Sequence, residues 1–481
     1  MNKGGIEGGS YQPLTQSEIR MLHKASMKVF EEVGMEVHDK RALEIFANAG
    51  ADVDFGAKRV RASESWIMNI VSKAPSEVTL CGRDEKNDLV LGGKRVYLGT
   101  GGTALNVLDL ESGQRRPSVL ADVRNTARLV DALENIHFFV LPVYPSDLQK
   151  QNVDVNRFFA GLSNTTKHVM GGVYTKEGVR KVVRMAETIM GGREALRKRP
   201  IISMITNIMS PLKMDATYTD LMLTVIEEGL PLATPPAPIA GATSPVTLAG
   251  TIVQLNVEAL SGLLLAQIVN PGMPTLYSAV PTTADMRTMG FLFSAVENGI
   301  MNAAVAQLAQ YYNLPLYATA GVSESKIPDV QSGYEKMSTS MLAALAGANY
   351  IHDAAGLIES GLSVAYEQYV LDDEINGMVL RAVRGLEVTE ETLSLDVIKR
   401  VGPGGNYVAD DQTYQYMRTE FFLPRVADRS PYAVWEKNGM IDGREKARQI
   451  ARDILAKHSP APVDWAVIET LKSEIPELIT E

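Results

Sequence analysis

The sequence predicts an α/β fold, a (β/α)8 barrel of parallel strands with an N-terminal cap and extra helices packed behind it, on three observations. Short apolar runs alternate with stretches of helical period at roughly every 30 to 45 residues, the rhythm of successive strand–helix units. The apolar runs count eight, the number at which such a parallel sheet closes on itself. Residues Gly229 to Val257 carry no charge, yet five prolines and many Thr and Ser exclude a membrane span. A parallel strand covered by helices is apolar on both faces, which accounts for the stretch.

Residues 1–94 read as a cap of helices and a β-hairpin, 95–390 as the barrel, and 391–481 as a loop and helices that pack on the barrel or on a second subunit. In the cap, Thr15 and Glu18 form a capping box; Ile19, Leu22, Val29, Phe30 and Val33 then share one helical face until Gly34 ends it. Two shorter helical patterns follow around Arg41 to Ala49 and Ser63 to Lys73, then strand-like VTLCG and DLVLGG. The eight barrel strands are expected in VYLGT, HFFVLP, HVMGGV, IISMIT, PLATPP, TLYSAV, PLYATAG and NYIHDA. Between them lie helical stretches such as LADVRNTARLVDAL, TKEGVRKVVRMAETIM, TYTDLMLTVIEEG, LNVEALSGLLLAQIV, NAAVAQLAQYY and STSMLAALAGA. After the last strand come a helix in LDDEINGMVLRAV, a loop in VGPGGNYVADDQ and a charged amphipathic helix in GREKARQIARDILAKH. An open doubly wound sheet is the rival architecture. It is weaker because no GxGxxG opens a helix after the first strand, and GTGGT at Gly99 to Thr103 runs into strand-like ALNVLDL.

With 481 residues, 45% of them hydrophobic, the chain has ample material for a large core. A formal charge of −10 without clustered Lys or Arg argues against nucleic acid as a partner and leaves a small, uncharged-to-cationic ligand as the better fit. The single cysteine, Cys81, permits no internal disulfide, and MNKGGIEGG lacks the apolar core of a secretory signal, so a cytoplasmic location is expected.

In a barrel, chemistry sits at the carboxyl ends of the strands. That rule sorts the six histidines: His137 and His168 open their strands and read as structural, His23, His38 and His458 fall outside the strands, and His352 stands near the top of the last strand beside Asp353. There is no HxH, HExxH, thiol pair or P-loop, so metal, thiol and nucleotide chemistry find little support, and Cys81 reads as buried and inert. The strand tops offer Tyr97, Tyr144, Tyr174, Asn207, Tyr277 and His352 among Gly, Thr and Ser. Aromatic faces attract a quaternary ammonium, which cannot hydrogen-bond; the plainer reading of each tyrosine is that it fills a barrel layer.

Six segments resemble the trimethylamine methyltransferase superfamily, in particular its members without pyrrolysine that act on quaternary amines. They are LTQSEIRMLHKASMKVFEEVGMEV, YLGTGGTALNVLDLESGQRRPS, NTTKHVMGGVY, SPLKMDATYTDLMLTVIEEGLPL, PTTADMRTMG and VSESKIPDVQSGYEKMSTSMLAALAGANYIHDAAG, and together they extend over nearly the whole chain. The resemblance implies a barrel enzyme that passes a methyl group from a quaternary amine, such as glycine betaine, to the Co(I) of a corrinoid (cobalamin) held by a separate corrinoid-binding protein, with no tightly bound metal of its own. The founding enzyme carries pyrrolysine in the region corresponding to Gly321 to Gln331, where this chain has only standard residues. A quaternary ammonium already bears a good leaving group, so in-line displacement releases a neutral tertiary amine without a proton donor. The family's His-Thr near the C-terminus is Gln412-Thr413 here, which puts a role for that segment in doubt.

On this reading Tyr97, Tyr174 and Tyr277 surround the trimethylammonium, Asn207 and His352 face a carboxylate, no side chain acts as acid or base, and a homo-oligomer is expected. Two rivals stand beside it. One is a non-catalytic amine-binding or regulatory barrel; the other is an aldolase-like barrel, which lacks a strand-top lysine, the nearest being Lys326 in a loop.

Overall fold

Eight short parallel strands carry the fold: β1 (Arg95–Thr100), β2 (Phe139–Val140), β3 (Val169–Gly172), β4 (Ile202–Ile205), β5 (Leu232–Ala233), β6 (Thr275–Ser278), β7 (Leu316–Thr319) and β8 (Tyr350–Ala355). They belong to a computed structural model that describes residues 5–480. Each of the eight predicted runs contains one strand. Their spatial order is β1-β8-β7-β6-β5-β4-β3-β2, every neighbouring pair parallel. The ends of that row meet: His137 N–H donates to Leu98 O at 2.7 Å and Thr100 N–H to Phe138 O at 3.4 Å, the slanted pattern of a parallel ladder. β5 is only two residues long because Pro235 and Pro236 follow it and have no N–H to give a neighbour.

The helices that follow are α2 (Leu120–Ala132), α3 (Val153–Asn164), α4 (Lys176–Met190), α5 (Ala216–Glu228), α6 (Leu248–Val269), α7 (Val296–Tyr312), α8 (Val330–Leu345) and α9 (Tyr366–Arg384), preceded in the cap by α1 (Gln16–Lys28). The Thr15–Glu18 capping box is present on α1, which runs on through a π-helical turn, Val29–Val33, to Gly34. α3 is absent from the sequence reading. Its apolar positions, Val155, Phe158, Phe159 and Leu162, have helical spacing, but Asp154, Asn156 and Arg157 stand on the same element and are also buried, so no polar face marks it. α6 starts at Leu248, seven residues before the stretch read as helical, and is long and apolar enough to cross a membrane by composition alone, yet 78% of its most apolar window is buried inside the protein.

The cap hairpin, Val78–Leu80 paired with Leu89–Leu91, sits at the amino ends of the strands. Its side chains join Tyr97, Phe138, Met170, Leu276 and Tyr350 in one buried cluster, with Phe138 and Tyr350 stacked at 3.5 Å. This end of the strand array is packed shut. His137 and His168 lie there, His168 fully buried and His137 partly, and burial pushes each imidazole down to about 4. His168 bridges the Cys81 carbonyl (2.9 Å) and the Ser203 hydroxyl (2.7 Å), and burial pushes the Cys81 thiol up to about 11, which keeps it protonated. Behind α9 the chain continues through short helices to α10 (Gly443–Lys457), which packs against α9 and α2 and ties back through Arg444 and Arg448 to Glu367.

Candidate active site

At the opposite, carboxyl end of the strands lies a cavity of about 380 Å³. Residues on or just past all eight strands contribute to its wall, among them Thr103, Tyr174, Asn207, Tyr317, His352 and Asp353. Three of the five residues expected at the site meet here: Tyr174, Asn207 and His352. The other two do not. Tyr97 points into the shut end, where its hydroxyl accepts the Val90 N–H at 3.2 Å; it stands low on β1, and side-chain direction in a barrel follows position along the strand. Tyr277 points outward from β6 and donates its hydroxyl to Asn256 Oδ1 on α6 at 2.7 Å, beside Tyr312. Alternation along β6 sends Tyr277 to the helix side, a direction that the spacing of apolar residues in a fully buried strand does not reveal.

β8 departs from alternation. Its register with β1 pairs Ile351 with Leu98 and then Ala355 with Thr100, so four steps on β8 oppose two on β1. The intervening bulge puts Asp353 at φ 68°, left-handed backbone that Asp and Asn tolerate better than most residues. As a result His352 and Asp353, adjacent in sequence, both face the cavity. His352 Nδ1 lies 2.6 Å from Ala318 O and Nε2 lies 2.8 Å from Asp353 Oδ2, and the ring stacks on Tyr317 at 4.3 Å. Asp353 Oδ2 also accepts the Thr319 hydroxyl at 2.7 Å, while Oδ1 lies against Gly101, where a Cβ would come within 1.5 Å of it. Gly101 is therefore glycine because the carboxylate occupies the space of any side chain.

Tyr174 is braced from behind by the missed helix. Arg157, buried on α3, donates to the Tyr174 hydroxyl (3.2 Å), the Thr103 hydroxyl (3.2 Å) and Leu141 O (3.0 Å). Asp154, one turn away, accepts the backbone N–H groups of Tyr174 and Thr175, each at 3.1 Å, against a burial that raises its carboxyl. The cavity thus has one carboxylate in its wall and one guanidinium directly behind it, with Tyr174, Tyr218, Tyr317 and Phe293 as aromatic lining. Tyr317 is wholly buried, which pushes its phenol well above 10 and keeps it neutral.

A second buried device fixes the loops after β7 and β8. Lys336 on α8 donates to Gly321 O (2.6 Å) and pairs with Asp372 on α9 (3.0 Å); Asp372 in turn accepts the Gly356 N–H (2.7 Å) and the Gln368 amide (2.8 Å). Gly321 needs this support. It sits at φ 83°, and a Cβ there would lie 2.7 Å from the Ala354 Cα in the bulge.

Sequence reasoning missed Asp353, Tyr317, Phe293, Tyr218, Arg157 and Lys336 as parts of or supports to this cavity. A signal existed for Asp353, an acid beside the one strand-top histidine, but strict alternation sends it to the other face.

The trimethylamine methyltransferase family (MTTB) matches residues 6–477. A trimethylamine methyltransferase from Desulfitobacterium hafniense is 37% identical over 98% of this chain and 95% of its own length. A glycine betaine methyltransferase, also from Desulfitobacterium hafniense, is 32% identical over 97% of this chain and 96% of its own. A trimethylamine methyltransferase from Methanosarcina thermophila is 35% identical over 97% of this chain and 98% of its own. With standard residues throughout Gly321 to Gln331, the chain belongs to the trimethylamine methyltransferase family as a member of its non-pyrrolysine type.

Proposed function

We propose that this protein moves a methyl group from a quaternary amine, glycine betaine or a related betaine, to the Co(I) of a corrinoid carried by a cognate protein. One observation carries the reading: the bulge in β8 sets a single carboxylate, Asp353, into a cavity otherwise walled by aromatic and uncharged groups. An ammonium without N–H groups is held by charge and by aromatic faces, not by hydrogen bonds. Tyr174, Tyr218 and Phe293 offer aromatic surface and Asp353 the counter-charge. His352, engaged with Ala318 and Asp353, positions that carboxylate, and Asn207, with Arg157 behind Thr103 and Tyr174, suits the carboxylate end of a betaine.

We take the eight strands of residues 95–390 to close as a (β/α)8 barrel, which fixes these groups on rigid strand ends and leaves the amine one exit, toward the cavity mouth. The cavity's size suits a small amine; a corrin ring must approach from outside. When docked there, the reduced corrinoid supplies the nucleophile. This chain's residues hold the methyl–nitrogen bond in line with the mouth, exclude water and leave the bonding pair on nitrogen, so a neutral tertiary amine departs and no side chain moves a proton. The released amine loses its attraction to Asp353, which favours its exit.

The test is direct. The protein is mixed with glycine betaine, proline betaine, carnitine or trimethylamine and Co(I) cobalamin, and methyl–cobalt formation is followed in the visible spectrum. Turnover with a betaine and none with trimethylamine is expected. Turnover with trimethylamine alone, or binding without transfer for every amine, refutes the proposal.

A further inference from the structure

Arg157 carries a charge that the protein itself does not spend. The side chain is 1% exposed, and among the described residues it pairs with no carboxylate. Asp154, three positions earlier on α3, has its oxygens engaged by the Tyr174 and Thr175 N–H groups and by the Thr175 hydroxyl. Arg157 Nε meets no acceptor. Of the three groups that take its Nη hydrogens, two are hydroxyls, those of Tyr174 and Thr103, and both stand in the cavity wall. A buried guanidinium without an anion is costly, so a fold that keeps one against a cavity points to an anion that arrives from outside.

The hydroxyls pass that charge on. Each accepts an N–H from the guanidinium, so its own hydrogen turns away from the cation, and neither finds an acceptor among the described residues. Two O–H groups polarised by one cation therefore remain to donate toward the cavity they line. A carboxylate suits them better than a phosphate, because the wall holds no Lys or Arg to balance a second negative charge. Asp353 is one pole of the cavity and this donor pair is the other. We propose, on the reading of this cavity as an amine site, that the Tyr174 and Thr103 hydroxyls, oriented by Arg157, bind the substrate's carboxylate and make the site selective for zwitterions over plain quaternary cations. The two hydroxyls make the contact and Arg157 is a positioning residue behind them. Removing the donors turns the preference toward cations without a carboxylate, since Asp353 still faces the ammonium.

Calorimetry on the full-length protein compares three ligands of similar shape: glycine betaine with both charges, ethyltrimethylammonium with the cation alone, and tert-butylacetate with the carboxylate alone. The parent should bind glycine betaine at least about tenfold more tightly than ethyltrimethylammonium. Tyr174→Phe and Thr103→Val, each one hydroxyl short, should weaken glycine betaine and tert-butylacetate by about ten- to a hundredfold and leave ethyltrimethylammonium within about two-fold. Arg157→Met should collapse the same ratio of affinities, and no outcome depends on that variant folding. The proposal is overturned if the parent binds ethyltrimethylammonium as tightly as glycine betaine, if it binds no tert-butylacetate, or if the two hydroxyl variants weaken all three ligands by one factor. Failure of the amine reading looks different: ethyltrimethylammonium does not bind, while tert-butylacetate binds and is still weakened by the hydroxyl variants, so the carboxylate subsite stands without an ammonium site.

Discussion

Replacing Asp353 with Asn isolates the charge in the cavity wall from its shape. Asn keeps the size of the side chain, still accepts from Thr319, and is among the non-glycine residues that best tolerate the left-handed backbone at φ 68°, so the bulge in β8 should persist. What is lost is the attraction for a quaternary nitrogen. Its methyl groups keep it roughly 5 Å from the carboxylate, where a unit charge pair at an effective dielectric of 20 is worth about 3 kcal/mol. Water at the cavity mouth screens part of that, leaving about 2 kcal/mol, or an affinity about 30-fold weaker. Calorimetric Kd values and the KM of cobalamin-dependent demethylation measure it. A neutral tert-butyl analogue of the betaine supplies the control: it should bind parent and variant alike, because it never felt the charge. A betaine Kd within two-fold of the parent, with Tm unchanged, would refute Asp353 as the counter-ion. An equal loss for the neutral analogue would show that shape, not charge, was altered.

Three other changes test the supports. Gly101→Ala sets a methyl 1.5 Å from Asp353 Oδ1, so the bulge must shift, at a cost of about 1–3 kcal/mol seen as a lowered Tm together with lost amine binding. Lys336→Met strands the Asp372 carboxylate in the interior, and denaturant unfolding should register a loss of about 3–5 kcal/mol, largely recovered when Asp372 is also made apolar. Glu258, buried on α6 against Ser210 and Leu212 in the loop after β4, has its carboxyl pushed up to about 7 by burial from an ordinary 4.5. The folded state therefore holds a proton that the unfolded chain releases between about pH 4.5 and 7, and stability from this group falls as pH rises through that window, by up to about 3 kcal/mol. Glu258→Gln should abolish that slope in Tm-against-pH curves; an unchanged slope would assign it elsewhere.

Much of the fold was legible because parallel strands buried on both faces announce themselves as short apolar runs between helical periods. Even β5, cut to two residues by the prolines after it, lies in its predicted run. α3 escaped because Arg157 and Asp154 are buried along with its apolar face, and amphipathic periodicity detects a helix only when one side meets water. That Leu386, Val408 and other large apolar side chains between α9 and α10 are exposed was not legible either, because in sequence they look like core.

The strand-top rule brought Tyr174, Asn207 and His352 to one cavity, since position along a strand is a local property that sequence carries. It could not place Tyr97 or Tyr277, because depth in the barrel and choice of face depend on where each strand begins relative to its neighbours. Nor could it bring Asp353 beside His352. That juxtaposition needs two extra residues of β8 against β1 and a glycine at 101, more than 250 positions away in the chain, to leave room for the carboxylate. The sequence by itself determined the eight strands and the family. Which charge faces the cavity was decided by register, a relation between strands that no single strand encodes.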